Sequence, residues 1–275
     1  MRSINRSAHI VRAAIVCSGF CLAVLAISVT PTSAGTFNWG DINDPGADVM
    51  FLGVAEDNGY STSLFAPMPG TGSPVAIGNS LMLNPQNFLS FSSNSSHAVD
   101  SEFSTTLMVG MDNSIESIVV SEFGDHTLGG LPFALATAQV GASFHWQILE
   151  LDGVGVSLPV QNQNLQVTTG SGPNGGIYYR PAHNGIATPW EGSAVIDVAG
   201  YLAANSLVGD VTKVALVFDN SLLTAADQYS SAFIKKKGVT IDVQVADPFN
   251  NIPEPASLVL LALGMVAFGR TRYRV

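Results

Sequence analysis

The sequence predicts an all-β fold, an antiparallel β-sandwich of jelly-roll-like form with a hydrophobic helix at each terminus. Three observations predict it: apolar and polar residues alternate, turn residues separate the alternating runs, and helix signals are weak between the termini. From Ala136 to Ile148 every second residue is apolar, which places one face of a strand in the core and the other in water. The segments 103–109 and 239–245 repeat this pattern.

Further strands are predicted where shorter β-favouring runs lie between turn residues. These runs are 48–55, 114–123, 165–169, 176–180, 193–199 and 211–219. Gly, Asn, Asp and Pro cluster between them, and Lys235-Lys236-Lys237-Gly238 predicts a charged turn. Short helical turns are predicted at 198–207 and 222–229. About ten short strands favour a jelly roll, while a barrel or two small sandwiches divided at 170–176 stay open.

The N-terminal residues 1–34 have the pattern of a secretory signal peptide. Three arginines without an acid precede the apolar stretch 13–29, and Thr32-Ser33-Ala34 offers small residues for cleavage after Ala34. An N-terminal membrane anchor is the alternative. Both cysteines, Cys17 and Cys21, lie in this segment, so the mature chain is predicted to contain neither a disulfide nor a thiol nucleophile.

The C-terminal residues 252–275 have three parts. Pro253-Glu254-Pro255 is rigid and extended, because each proline fixes φ and removes a hydrogen-bond donor. The uncharged segment 256–269 follows, and as a helix at ~1.5 Å per residue it spans about 21 Å, short of a ~30 Å hydrocarbon core. Arg270, Arg272 and Arg274 then form a basic cap that is predicted to stay cytoplasmic and to extend the short span. A C-terminal core element is the alternative.

This tripartite tail resembles the PEP-CTERM signal of Gram-negative bacteria. The resemblance implies that an exosortase, a membrane protease-transpeptidase, binds the tail transiently and cleaves near Pro253-Glu254-Pro255. It also implies that 256–269 lies in the inner membrane before processing, and that the product reaches the cell surface or the extracellular space. Proteins with this signal are associated with exopolysaccharide and biofilm production. The removal of a hydrophobic tail parallels that of a GPI signal.

The predicted mature domain, residues 35–251, is strongly acidic. It has 5 lysines and arginines against 20 aspartates and glutamates, a net charge of −15. Such a surface repels nucleic acid and anionic lipid, and it either attracts divalent cations or keeps an exported protein soluble.

One acidic loop is a candidate calcium site. Asp41, Asn43, Asp44 and Asp48 place oxygen ligands close together in sequence, and Ca²⁺ takes six to eight of them. Pro45 stands where a ligand belongs, and no glutamate closes the loop as in an EF-hand. The alternative is a turn-rich entry to the first strand. No other metal or cofactor is predicted.

The sequence predicts no catalytic residue. Glu150 and Asp152 point to one side of a strand, but the second glutamate of the sandwich hydrolases they resemble is missing. The histidines have no metal-ligand spacing, and no serine has a nucleophile-elbow context. The prediction is therefore a protein that is not an enzyme.

Tyr178, Tyr179 and Trp190 are the candidate glycan-binding residues, because aromatic rings beside loops can stack on a sugar. The alternative is that these rings pack loops against the sandwich. Three functions remain open: a non-enzymatic, glycan-associated surface protein, a secreted carbohydrate-active enzyme, and a structural matrix protein bridged by calcium.

Overall fold

The computed structural model describes residues 35–246, which form thirteen strands and one short helix. The strands are β1 (Gly35–Asn43), β2 (Val49–Asn58), β3 (Val75–Ile77), β4 (Ser80–Leu83), β5 (Leu89–Val109), β6 (Ser114–Gly130), β7 (Ala136–Leu151), β8 (Val154–Gly155), β9 (Gln161–Asn164), β10 (Gln166–Val167), β11 (Ile177–Tyr179), β12 (Gly185–Asp197) and β13 (Val211–Ala246). The helix, α1, is Val198–Ala204. The two predicted terminal helices lie outside the described residues.

The named strands pair antiparallel in one network that folds over into two layers. The first half of β13, residues 211–226, pairs with β5 on one side and with β7 on the other. Its second half, residues 230–246, pairs with β6 and β4, and at 231–235 also with the start of β5. Layer one is therefore β1-β2-β5-β13-β7, with β8, β9 and β11 along β7, and layer two is β3-β4-β13-β6-β12-β10. This arrangement confirms the predicted antiparallel, jelly-roll-like β-sandwich.

The bend between the layers has a local backbone cause. The pairing of β13 with β5 shifts register between Ala226 and Ser231. Tyr229 in β13 has φ +69° and Asn94 in β5 has φ +53°, both in the left-handed region. Extra residues in one strand bend it and increase its twist. The two strands therefore turn the corner together.

The core lies between the layers and centres on phenylalanine rings. Phe103 and Phe218 of layer one pack with ring centroids 5.0 Å apart. Phe65, carried in by the loop after β2, meets them at 5.4 and 5.5 Å. Ile118 and Ile241 of layer two are buried in the same cluster. One core spans both layers, so the alternative of two smaller sandwiches is wrong.

Two local predictions are wrong. Lys235-Lys236-Lys237-Gly238 does not form a turn but continues β13, with the Lys236 side chain in the core. Residues 222–229 are not helical, because Leu222, Thr224 and Ala226 alternate inward along the same strand. The predicted turn at 198–207 is confirmed as α1, where the Asp197 carboxylate accepts a hydrogen bond from the Gly200 amide at 2.8 Å.

Candidate functional site

The predicted aromatic platform does not form, because two of its three rings face the interior. Tyr178 is buried, stacks on His126 with ring centroids 3.9 Å apart, and its hydroxyl lies 2.9 Å from Thr169 Oγ1. Trp190 is an inward residue of β12 and is also buried. Only Tyr179 is exposed. Strand alternation decides this outcome: Tyr178 lies in a strand of three residues, and Trp190 lies before the predicted strand 193–199, so the sequence pattern does not show that either ring faces inward.

The four residues of the predicted calcium loop have separate structural roles. Asp41 accepts a hydrogen bond from the Gly53 amide at 2.9 Å, and Asp44 accepts one from the Gly78 amide at 2.7 Å. Asp48 faces the side-chain amides of two asparagines, and Asn43 pairs with Met50 at the end of β1. Within residues 35–246 no three acidic, histidine or cysteine side chains are placed to hold a metal ion. The structure therefore gives this site no support.

The two carboxylates at the end of β7, Glu150 and Asp152, also make structural contacts. Glu150 forms an ion pair with Lys213 on the neighbouring strand. Asp152 accepts a hydrogen bond from the Asp210 amide at 2.7 Å. These contacts hold the two side chains in structural roles, whereas glycoside hydrolysis needs a pair of carboxyl groups flanking the scissile bond.

The outer face of layer two carries a groove that the sequence analysis did not predict. Three adjoining cavities of about 410, 350 and 440 Å³ meet at Phe123, and together they form what we name the Phe123 groove. Phe123 alternates outward on β6 and is 52% exposed. Each of the three cavities of the Phe123 groove is large enough for a sugar ring or a short peptide segment.

The ring of Phe123 lies directly against the sheet because its neighbour on β13 is a glycine. Gly238 is its cross-strand partner on β13, and a Cβ there would lie 2.2 Å from Phe123 Cε1 and 2.6 Å from Cζ. The ring therefore lies over the glycine backbone, and any larger residue at 238 would displace it. A half-exposed ring that lies on the sheet in this way can stack on an apolar ring face.

Polar and apolar walls stand on either side of this ring. Glu191, the cross-strand partner of Phe123 on β12, is exposed beside Thr168 and Ser193. Across the ring, the β3–β4 hairpin contributes three exposed apolar side chains, which are Val75, Ile77 and Met82. A stacking ring with hydrogen-bonding groups on one side and apolar contacts on the other fits the alternating C–H and O–H surfaces of a sugar.

A smaller cavity of about 300 Å³ adjoins the groove, since both are lined by Thr169 and Pro189. His126 lines this cavity and is buried, and among residues 35–246 neither of its ring nitrogens has a partner with good hydrogen-bond geometry. Asn184 and Thr188 line it as well. It could hold a further polar group of a bound chain.

Burial lowers the pKa of His126 below its usual 6.5, opposed in part by the His183 carbonyl and by Asp125. The unfolded chain therefore takes up a proton at a higher pH than the folded protein does. As far as His126 is concerned, the free energy of unfolding is highest above pH 6.5. It falls as the pH drops from 6.5 through the pKa of His126 in the folded protein.

We expect His126→Gln to be less sensitive to acid than the wild type. Urea unfolding of both proteins at neutral pH and at a pH below 6.5 checks this. Equal losses of stability in the two proteins would show that His126 does not titrate on unfolding. His97→Gln is the control for removing a histidine elsewhere in the sandwich.

Residues 251–273 match the family model of the PEP-CTERM protein-sorting motif. The C-terminus is a PEP-CTERM sorting motif. It contains the predicted Pro253, Glu254 and Pro255 and the basic residues Arg270 and Arg272. Arg274 follows directly after it.

The PEP-CTERM motif supports an exported protein that is sorted by an exosortase, a membrane enzyme, to the cell surface. The motif and the signal segment lie outside the described residues. Within residues 35–246, no helix is both long and apolar enough to cross a bilayer.

The other comparisons do not extend the PEP-CTERM finding to the sandwich. No curated protein sequence matches the chain. Two xylanase structures from Neocallimastix patriciarum resemble it weakly. The loop-swap mutant of Xyn11A is 10% identical, covers 77% of this chain and all of its own, and has a TM-score of 0.22. The family 11 xylanase is 11% identical, covers 78% and 99%, and has a TM-score of 0.19.

Endoglucanase 3 of family GH12 from Trichoderma harzianum is 11% identical, covers 78% of this chain and 100% of its own, and has a TM-score of 0.19. At these TM-scores, none of the three structures carries an argument about the activity of this chain.

The signal that could have identified the groove is an apolar residue on the polar face of a strand. In the predicted strand 114–123, Phe123 continues the outward series of Val119 and Ser121. A large aromatic in that series is an exception, and such exceptions often mark binding sites.

Proposed function

We propose that this exported protein is a non-enzymatic binder of surface polysaccharide, and that the Phe123 groove is its binding site. One observation carries the proposal: the Phe123 ring lies over Gly238, half exposed, with Glu191 beside it. A rigid aromatic ring costs little conformational entropy when a ligand stacks on it, and a carboxylate accepts hydrogen bonds from sugar hydroxyls.

The carboxylates of the groove favour binding over hydrolysis. Glu122 and Glu191 both line it, but Glu122 is buried and bonded to Lys236. Of these two carboxylates, only Glu191 is exposed to a ligand in the groove. Most glycosidases need a pair of carboxyl groups flanking the scissile bond.

We expect Phe123→Ala to weaken polysaccharide binding by about tenfold or more, since loss of one stacking contact of ~1.5 kcal/mol corresponds to roughly that factor. A glycan array followed by equilibrium binding to the strongest hit would measure it. Phe91→Ala is the matched control, because Phe91 is 54% exposed and lies outside the groove.

The same sugars should be assayed for hydrolysis. Binding without turnover supports the proposal, whereas turnover would favour a carbohydrate-active enzyme. Unchanged binding by Phe123→Ala would show that the groove is not the site. Self-association that depends on calcium would favour the structural matrix protein.

We further propose that residues 256–269 hold the precursor in the inner membrane until an exosortase cleaves near Pro253-Glu254-Pro255. This proposal is supported by the uncharged segment and the three arginines that follow it. The segment and two of the arginines lie within the matched motif, and the third lies just after it. Mass spectrometry of the surface fraction should therefore find a product without Arg270. A surface product that retains Arg270 would contradict cleavage.

A further inference from the structure

A lysine, an asparagine and a glutamate meet in the core of the sandwich. Lys236 and Asn220 are 0% exposed and Glu122 is 1% exposed. Asn220 belongs to the half of β13 in layer one, whereas Lys236 belongs to its half in layer two. Glu122 is an inward residue of β6. The three side chains therefore join the two layers where water is excluded.

The amine of Lys236 touches both partners. Its Nζ donates hydrogen bonds to Glu122 Oε2 and to Asn220 Oδ1, so it lies next to the carboxamide carbon of Asn220. Aromatic rings cover the group: Nζ is 5.3 Å from the centre of the Phe88 ring and 6.0 Å from that of Trp190.

Two polar atoms of this cluster have no partner within the described residues. They are Asn220 Nδ2 and Glu122 Oε1, both buried. Buried polar atoms are almost always hydrogen-bonded, and an ion pair in the core is costly unless its remaining atoms are satisfied. If the cluster were only a structural ion pair, these two buried atoms would remain without hydrogen bonds.

We propose that Lys236 and Asn220 become joined by an intramolecular amide bond, with Glu122 carrying the protons. A proton first passes from the lysine ammonium to the Glu122 carboxylate, which leaves a neutral amine and a neutral acid. The Nζ lone pair attacks Asn220 Cγ, while the acid hydrogen-bonds to Oδ1 and stabilises the charge that develops there.

The intermediate then collapses. Glu122 delivers its proton to Nδ2 and takes the second proton from Nζ, the Cγ–Nδ2 bond breaks, and ammonia is released. Glu122 returns to the carboxylate when the departing ammonia takes its remaining proton and leaves as ammonium. One amide replaces another, so no oxidant, reductant or cofactor is consumed. The unpartnered Nδ2 is the atom that departs.

The surroundings favour the neutral amine that this reaction needs. Burial lowers the pKa of Lys236, and the nearby Glu122 opposes this shift only in part. A desolvated lysine is a recognised form of activated nucleophile. The product would tie the two halves of β13 together across the corner between Ala226 and Ser231, where that strand passes from one layer to the other.

Mass spectrometry of the exported full chain tests the proposal. We expect an intact mass lower than that of the processed sequence by one ammonia. Trypsin cleaves after Lys213, Lys235 and Lys237. The digest should therefore contain a branched peptide, in which segment 214–235 is joined through Asn220 to the dipeptide Lys236-Lys237.

A linear peptide 214–235 with an intact Asn220, together with free Lys236, would overturn the proposal, and this outcome does not depend on any variant folding. We expect Glu122→Gln to yield the linear peptide, and a Glu122→Gln protein that is fully branched would overturn the role of Glu122. Glu150→Gln is the matched control, because Glu150 pairs with Lys213 away from Asn220, and it should remain branched.

Discussion

Glu56→Ala should lower the free energy of unfolding by at least about 3 kcal/mol, because it strands several buried donors at once. Glu56 is fully buried, and its carboxylate accepts hydrogen bonds from Ser63 Oγ at 2.5 Å and from the Leu64 amide at 2.9 Å. Ser101 Oγ donates a third at 2.8 Å. This carboxylate holds the loop that carries Phe65 into the core.

Urea unfolding would measure the loss, and Glu56→Gln tests its cause. Glutamine fills the same space, but its NH₂ group faces donors rather than acceptors, so we expect a smaller yet clear loss. Glu116→Ala, at an exposed position on β6, should change stability by no more than about 0.5 kcal/mol. A Glu56→Ala protein as stable as Glu116→Ala would refute the structural role of the buried carboxylate.

Relative to the chain in which no Lys236–Asn220 amide has formed, Lys236→Met should cost about 3–5 kcal/mol, the range seen when one member of a buried ion pair is removed. Glu122 would remain in the core beside Asn220 without its donor. This loss is a large part of the free energy of unfolding of a typical domain. We therefore expect the variant to be partly unfolded at growth temperature.

The double variant Glu122→Met/Lys236→Met separates charge from packing. Removing both charges and keeping apolar volume often restores stability. We expect the double variant to unfold at a higher urea concentration than Lys236→Met alone. A double variant less stable than the single one would mean that packing at these positions, rather than the unpaired carboxylate, sets the cost.

Strand alternation made most of the sandwich predictable from sequence. In β7 the inward residues Phe144, Trp146 and Ile148 are buried in the positions that the pattern predicts. Period-two alternation reports a local property, which side of a strand meets the core, and this property survives folding. The helix α1 was predicted for the same reason, since its signals lie within its own segment.

Features that depend on distant parts of the chain were not predictable. Lys235-Lys236-Lys237-Gly238 has the composition of an exposed turn, yet Glu122 and Asn220 lie opposite Lys236 and provide its partners. A glycine fits at position 238 because the ring of Phe123, which is far away in sequence, occupies the space that a side chain would need. Tertiary contacts override local propensity at such positions.

The same reason explains why the predicted aromatic platform at Tyr178 and Trp190 is not exposed. Tyr178 lies in a strand of only three residues, and Trp190 precedes the strand predicted at 193–199, so alternation does not show their inward orientation. Phe123 becomes a candidate only when the neighbouring strands place Gly238 on one side of it and Glu191 on the other.

Chemical-shift mapping of the protein with the strongest hit of the glycan array tests the proposed binding site most directly. We expect shifts to concentrate on the outer face of layer two, at Phe123, Glu191 and Thr240. Shifts confined to layer one, or none at saturating polysaccharide, would contradict the account.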